Sequence, residues 1–580
     1  MKSGEQLRSE LAAINHRSYP AYKSLKGEYR FPDYILSIDH VQGDPFAAPS
    51  HVSLILESAR CGFPAEYLKG IRNRTAMADY LLRRFGEAVN RFSFKAKGSG
   101  KSGLIKVSRC GQEILRRSAC SVDEKRIVVR FHVGFPANGR TINSPELEKI
   151  FFDFLPKAAA GSLHYRSLNA VDLKGYLELF EDQEFIREEL RKRGLTAFVS
   201  DGSVLPRESG ISGRPMKGAV PFVSPESLRI ALDLPNRGKI TGMGIPKGIT
   251  LIVGGGYHGK STLLDALQAG VYEHVPGDGR EYVITDASGV KLRSEDGRFV
   301  KDVDISMFIN HLPNKKDTRR FSTEDASGST SQAAGIIEAI EAGSRLFLLD
   351  EDTSATNFMV RDSFMQEVIS PEQEPITPFL LRARSLYEKN GISTILVAGS
   401  SGAFFHIADT IIQMDNYIPV DIREKVKALL PKYPLPDAGI RDTGEEFPGQ
   451  SASDRRIMTR DTTVRTRRNY YGKVTDQPEK IKIHVNGTDS FSLGRDEVDL
   501  RYIEQIVDEE QMAALADILK YACENLIDGK RTLDQVVKSV LEKLRTEEFD
   551  FFKRGGYVPS GLAMPRDQEI YACFNRFRRP

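Results

Sequence analysis

The run Gly254-Gly255-Gly256-Tyr257-His258-Gly259-Lys260-Ser261 fits G-x-x-x-x-G-K-[ST], the spacing that cradles a phosphate chain. Glycines let the backbone curl so that successive N–H groups converge on phosphate oxygens. A helix starting at the loop adds the positive end of its dipole. On this reading the loop through Thr262 binds ATP, Lys260 reaches the outer phosphates, and the Ser261 hydroxyl faces Mg²⁺. A second group that can do chemistry is Asp350-Glu351, which closes the apolar run Leu346-Phe347-Leu348-Leu349. Asp350 is expected to hold Mg²⁺ through water, and Glu351 to polarise the attacking water or accept its proton. Buried strands often end in acids. Placed 90 residues after Lys260, the pair becomes a specific signal for ATP hydrolysis.

These residues need rigid elements beneath them. Ile249-Thr250-Leu251-Ile252-Val253 is apolar and β-branched and reads as a buried strand. Residues 262–269 read as a helix with Leu263, Leu264 and Leu267 on one face. Strand, glycine loop and helix form the context in which a phosphate loop works. Upstream, Leu228, Ile230 and Leu232 alternate before a turn at Pro235-Asn236-Arg237-Gly238, which predicts a β hairpin. Thr394-Ile395-Leu396-Val397-Ala398 reads as a further core strand.

Between the loop and the acids, Ala326-Ser327-Gly328-Ser329-Thr330-Ser331-Gln332 precedes a helix. It resembles the signature motif of ABC ATPases, usually L-S-G-G-Q. Ser327 lies 23 positions before Asp350, the spacing of that class. Ser327 and Gly328 keep the pattern; Ser329 and Thr330 depart from it. Asp350-Glu351-Asp352-Thr353-Ser354-Ala355-Thr356-Asn357 is similar to the run D-E-P-T-S-A-L-D. Ala408-Asp409-Thr410-Ile411-Ile412-Gln413-Met414-Asp415-Asn416 looks like the stretch that closes many ABC cores. Two residues of the class are missing. Gly399 or Ser400 stands where a switch histidine is expected, with His406 out of register. No glutamine falls at about 300–310, where Asp302, Asp304 and Asn310 stand. Slow hydrolysis is the expectation.

Together with Val41-Gln42-Gly43-Asp44-Pro45-Phe46-Ala47, Gly98-Ser99-Gly100-Lys101-Ser102-Gly103 and Asp201-Gly202-Ser203-Val204-Leu205-Pro206-Arg207, these motifs carry a resemblance over nearly the whole chain. The chain resembles a soluble family of predicted ATPases of the ABC class, related to an accessory ATPase of kinetoplastid mitochondrial RNA editing. The resemblance implies an α/β P-loop ABC-type core between an α+β N-terminal domain and a mixed, mainly helical C-terminal domain. It also implies a homodimer and a link to nucleic acid, chiefly RNA. A signature motif is useful only where its Ser and Gly N–H groups meet an ATP held by another chain. Ser327, Gly328 and Ser329 are thus expected to complete a partner's site. The expected boundaries are 1–222, 223–420 and 421–580, with an irregular arm over 421–470.

The 580 residues carry a net charge of only +3, so nucleic-acid binding must come from a local patch. Lys95, Lys97 and Lys101 supply one, on what reads as a flexible β-hairpin tip between strands at 92–94 and 104–107. The tip is either a solvated turn or a phosphate-backbone contact. Arg465, Arg467 and Arg468 with Tyr470 and Tyr471 are a second, weaker patch. Residues 75–90 read as a helix with Arg83 and Arg84 on its polar side. Leu500, Ile503, Ile506 and Val507 have helical spacing. Five scattered cysteines without C-x-x-C pairing argue against zinc and a disulfide framework and fit a reducing, cytoplasmic setting. No run of 18 apolar residues predicts a membrane span. The alternatives are a P-loop small-molecule kinase, with 198–222 as acceptor pocket, and a nucleotide-switched scaffold with little turnover.

Overall fold

The computed structural model describes residues 1–361, 374–434, 456–459, 467–468, 474–475 and 481–577. At its centre is a six-stranded sheet in the order Val290–Leu292, Leu346–Asp350, Ser393–Val397, Ile249–Val253, Thr410–Asp415, Ile418–Asp421. The first five strands run parallel, and the last turns back antiparallel. Parallel strands are covered on both faces, and alternation along each strand sends neighbours to opposite sides. Ile249, Leu251, Phe347, Leu349, Leu396 and Ile411 pack with the helices Gly328–Glu341 and Phe379–Asn390. Ile252, Leu346, Leu348, Ile395, Val397 and Ile412 pack with Leu263, Leu264 and Leu267 of the helix Lys260–Ala269. This second core is closed by an antiparallel sheet in the order Arg229–Leu234, Gly238–Pro246, Leu195–Ser200, Val283–Thr285. The hairpin expected before the phosphate loop is the first pair of that sheet.

The N-terminal region builds its own core around a seven-stranded sheet. Its long strands are Ile35–His40, Ser50–Glu57 and Arg126–Val133, and the helix Ile71–Asn90 lies on it with Met77, Leu81, Phe85 and Val89 buried. In the C-terminal region a three-stranded antiparallel sheet, Ile483–Asn486, Ser490–Leu493, Asp496–Asp499, shares a core with the helices Glu509–Asn525, Leu533–Glu547 and Asp567–Arg576. The two terminal regions touch. Arg117, buried, donates to Asp508 and Glu510, each at 2.7 Å. Breaking such a buried ion pair by removing one partner costs about 3–5 kcal/mol.

Three local expectations are corrected. The stretch from Lys95 to Gly103 is not a flexible β hairpin, and 92–94 forms a turn, not a strand. Gly98, Gly100 and Gly103, at φ 157°, 63° and 77°, fold the stretch into a compact loop. Its amides donate inward: Ser99 to Ala137 O at 2.7 Å, Lys101 to Pro45 O at 2.8 Å, Gly103 to Gly134 O at 2.9 Å. A Cβ on Gly134 would lie 1.8 Å from Lys101 O, so the loop is docked without slack. Arg83 is not a solvated face residue. It bonds Asp79, which is buried, at 2.6 Å, because Asp79 also accepts from Tyr176 and needs a cation. Residues 500–507 are not helical. Ile503 N–H bonds Leu500 O and Ile506 N–H bonds Ile503 O, so successive turns, stepping by three, bring Leu500 and Ile506 into the core. Arg465, Tyr470, Tyr471 and much of the expected 421–470 arm lie outside the described residues.

Candidate nucleotide-binding site

The register of the central sheet aligns the chemistry. Ile252 pairs with Val397, Asp350 with Val397, and Val253 with Gln413. The phosphate loop, the acid pair, the 398–401 turn and the 415–418 turn therefore leave the sheet at the same edge, outside the carboxyl ends of parallel strands, where α/β folds bind ligands.

In the phosphate loop the backbone, not side-chain bulk, makes the cradle. Gly254 has φ 145°, and a Cβ there would lie 2.5 Å from Met414 O. Gly259 has φ 95°, and a Cβ there would lie 2.9 Å from the Tyr417 ring. Lys260 opens its helix and folds back over the loop, donating to Gly254 O at 2.8 Å and Gly255 O at 3.0 Å. His258 ties the loop to the next turn: its Nδ1 accepts from Asn416 N–H at 3.0 Å and its carbonyl from Tyr417 N–H at 3.1 Å. Tyr257, Asn416 and Tyr417 hold φ of 64°, 47° and 71°. Such strain costs about 1–3 kcal/mol per residue and clusters where a ligand is clamped. Gly255, Gly256, Tyr257 and Ser261 are exposed, Thr262 half-buried, and Tyr257 is 100% exposed. The cradle is open on its outer side. A cleft of about 740 Å³ elsewhere is lined by Tyr80, Arg84, Asp182 and Arg237 and includes none of these residues.

Asp350 and Glu351 sit in contrasting surroundings. Asp350 is buried at 6% exposure, and its Oδ1 accepts from Asp352 N–H at 3.1 Å. Burial pushes its carboxyl up, opposed by the charges of Lys291 and Lys260. Together with the Ser261 hydroxyl it offers the hard oxygen donors that Mg²⁺ takes, and two lysines compensate the buried charge. Glu351 is half-buried. Burial pushes its carboxyl up, but hydrogen bonds from Ser400, Gly399 and Ser401 outweigh this and hold it below the usual range. Gly399 N–H and Ser400 N–H donate to Oε2 at 2.7 and 3.0 Å, and Ser400 Oγ donates to Oε1 at 2.5 Å.

Ser327 is the exposed N-cap residue of the helix Gly328–Glu341. Its hydroxyl lies 3.0 Å from Thr330 Oγ1 and 3.4 Å from Ser329 Oγ, and Ser329 itself is buried. Gln332 donates to Ser354 Oγ at 3.0 Å and accepts from Ala355 N–H at 2.9 Å, so the signature helix is joined to the loop that follows the acid pair. Among the described residues no hydrogen bond joins the Ser327 side chain to the phosphate loop. Where the glutamine was missing, Asp304 is buried and caps a turn by accepting from Ser306. Sequence reading missed Lys291, whose side chain is buried and bonded to Glu504 at 2.8 Å, and the Ser400 grip on Glu351. Neither carries a local motif.

Three family matches follow the chain in order. Residues 4–166 match the N-terminal domain of ATPases of the ABC class, residues 169–442 the P-loop domain of ABC ATPases, and residues 482–580 the MRB1590 C-terminal domain. The chain belongs to the family of ABC-class ATPases, with a C-terminal region similar to that of MRB1590. An uncharacterized protein of Methanocaldococcus jannaschii, MJ1628, is 36% identical over 189 residues, which cover 31% of this chain and 42% of that relative. The chain thus spans less than half the length of this curated relative. Among solved structures, the ADP conformation of MJ1267, an ATP-binding cassette of an ABC transporter, is 12% identical, covering 34% of this chain and 89% of that one at a TM-score of 0.22. The cbiO1 protein from Clostridium perfringens, part of the transporter complex cbiONQ, is also 12% identical, covering 40% and 91% at a TM-score of 0.26. No helix among the described residues is long and apolar enough to cross a membrane.

Proposed function

We propose that this chain binds ATP with Mg²⁺, hydrolyses it slowly between two copies of itself, and couples that cycle to nucleic acid, chiefly RNA, in the cytoplasm. The observation that carries the reading is the shared sheet edge. Lys260, Asp350 and Glu351 leave it together, while Ser327 is exposed at the start of its own helix and bonds the Thr330 hydroxyl, not that phosphate loop. An open cradle and an outward signature turn are two halves of a site, and a second copy brings them together. Lys260 releases the loop carbonyls to hold the β- and γ-phosphates. The loop N–H groups and the start of its helix orient them. Ser261 and Asp350 would hold Mg²⁺, which when bound neutralises the phosphate charge. Glu351 accepts the proton of the attacking water. Ser327 and Gly328, at a helix start, present donors to the γ-phosphate held by the partner copy.

The bonds from residues 399 and 400 also favour a second reading, a nucleotide-switched scaffold with little turnover. Three of the roughly four lone-pair sites of the Glu351 carboxylate are already engaged, which favours its ionised form and weakens it as a base. Lys95, Lys97 and Lys101 are exposed on the docked loop, Lys95 over the Phe92 ring and Lys97 beside Glu146, and their clustering supports a phosphate-backbone contact. The test is ATP turnover by the full chain alone and with single-stranded RNA, single-stranded DNA or duplex DNA, with Lys260→Ala as control. RNA-stimulated turnover supports the reading. Turnover indifferent to every nucleic acid removes the coupling, and unchanged ATP affinity in folded Lys260→Ala removes the site.

A further inference from the structure

The segment 287–298 is gripped by the C-terminal region on one side and touches both catalytic motifs on the other. On the outer side Arg566 donates to Ala287 O at 2.8 Å and Gly289 O at 3.0 Å. Glu504 binds Lys291 at 2.8 Å and Arg293 at 2.9 Å. Arg576 binds Glu295 with two bonds, Nη2 to Oε1 at 2.5 Å and Nε to Oε2 at 3.2 Å. The side chains of this last pair are only 7% and 10% exposed. On the inner side Val290–Leu292 pairs with Phe347, Leu348 and Leu349, the residues just before Asp350. Ser294 N–H donates to Thr353 O at 3.0 Å, in the loop after Glu351. Glu295 N–H donates to Ser331 Oγ at 2.9 Å, and Ser331 Oγ donates to Gly328 O at 2.8 Å. A Cβ on Gly328 would lie 2.4 Å from Ser294 Oγ and 3.0 Å from Asp296 Oδ1, so the signature turn is seated directly against this segment.

We infer that the C-terminal region sets the geometry of the signature turn through segment 287–298, with Arg576 as a positioning residue for ATP turnover. The inference rests on the reading of Ser327 and Gly328 given above. Arg576 holds Glu295 with a planar fork that an ammonium cannot reproduce. Glu295 holds Ser331 through its backbone, and Ser331 holds the Gly328 carbonyl. Because Gly328 has no free space on that side, a displaced Glu295 moves the signature N–H groups instead of being absorbed locally. A partner that shifts the C-terminal region is then felt at the nucleotide. Reciprocally, ATP-driven closure alters the C-terminal grip.

The test uses the full chain carrying Arg576→Lys, with Glu295→Gln, close to isosteric, as a second variant should the first not fold. Five quantities are read: kcat, KM for ATP, ATP affinity, thermal midpoint, and amide exchange over residues 327–331. Coupling predicts a kcat about threefold to tenfold lower with KM and ATP affinity within about twofold, together with faster exchange over 327–331. A merely structural role lowers the midpoint and leaves kcat and exchange unchanged well below it. Unchanged kcat and exchange in the folded variant overturn the inference. Should the wild-type chain bind ATP without turning it over, the hydrolase reading fails, and the exchange difference alone decides the coupling.

Discussion

Ser400 donates its hydroxyl to Glu351 Oε1 at 2.5 Å and its N–H to Oε2 at 3.0 Å. One small residue, at one of the two positions where the resemblance led to the expectation of a switch histidine, thus holds the proposed general base by both oxygens. Donors of this kind favour the ionised carboxylate and keep Glu351 below its ordinary range against the opposing effect of burial.

Ser400→Ala tests that grip. Losing the hydroxyl removes a bond to the charged form, so the Glu351 pKa rises. A base must be ionised to work, and the acid limb of the kcat–pH profile therefore moves to higher pH. The displacement is partial, since the backbone donors to the carboxylate remain. A profile that does not move, in a variant that still turns over ATP, would show that Glu351 is not the titrating base.

Glu351→Gln should bind ATP as tightly as the wild type and lose hydrolysis by a factor of about 100 or more, since an amide cannot take the proton. With hydrolysis blocked, ATP is expected to lock two copies together, seen as a dimer in gel filtration. A monomer that still turns over ATP would point to a P-loop kinase, or to Asp352 as the base.

Ser327→Arg should leave ATP binding to one chain intact and abolish dimerisation and turnover. Ser327 is exposed and its hydroxyl meets side-chain hydroxyls of Thr330 and Ser329, not a helix N–H, so the larger residue fits the isolated chain. The clash arises only against a partner's bound nucleotide. Normal turnover in the pure variant would count against completion of the site across two copies.

Replacing Lys95, Lys97 and Lys101 together by Ala should flatten the salt dependence of RNA binding. At roughly 0.7 per phosphate contact, the log–log slope falls by about 2. Basal ATP turnover should survive, because the loop is docked on 134–137 and Pro45, away from the sheet edge. An equal slope and affinity would reduce the loop to a solvated turn and remove these lysines from RNA binding.

The sequence alone carried the parts of the molecule whose signal is local. A phosphate loop is one unbroken run from Gly254 to Ser261, and its strand and helix flank it directly. The acid pair and the signature turn are likewise contiguous, and their spacing is set by intervening elements that the chain must traverse. The near-continuous apolar runs of Ile249–Val253 and Leu346–Asp350 told that both strands are buried. What lay beyond reach was set by contacts between distant segments. The Ser400–Glu351 bonds span 49 residues and the Arg576–Glu295 pair spans 281, and no local pattern marks either. The lysine loop looked like a free hairpin because glycine and lysine alone suggest solvent. Only the tertiary structure supplies Ala137, Gly134 and Pro45 as acceptors for its amides. The spacing of Leu500, Ile503 and Ile506 looked helical because a chain of three-residue turns and a helix bury side chains at similar intervals. Periodicity records which residues face a core, and the backbone path that brings them there is decided by what the core offers to bond.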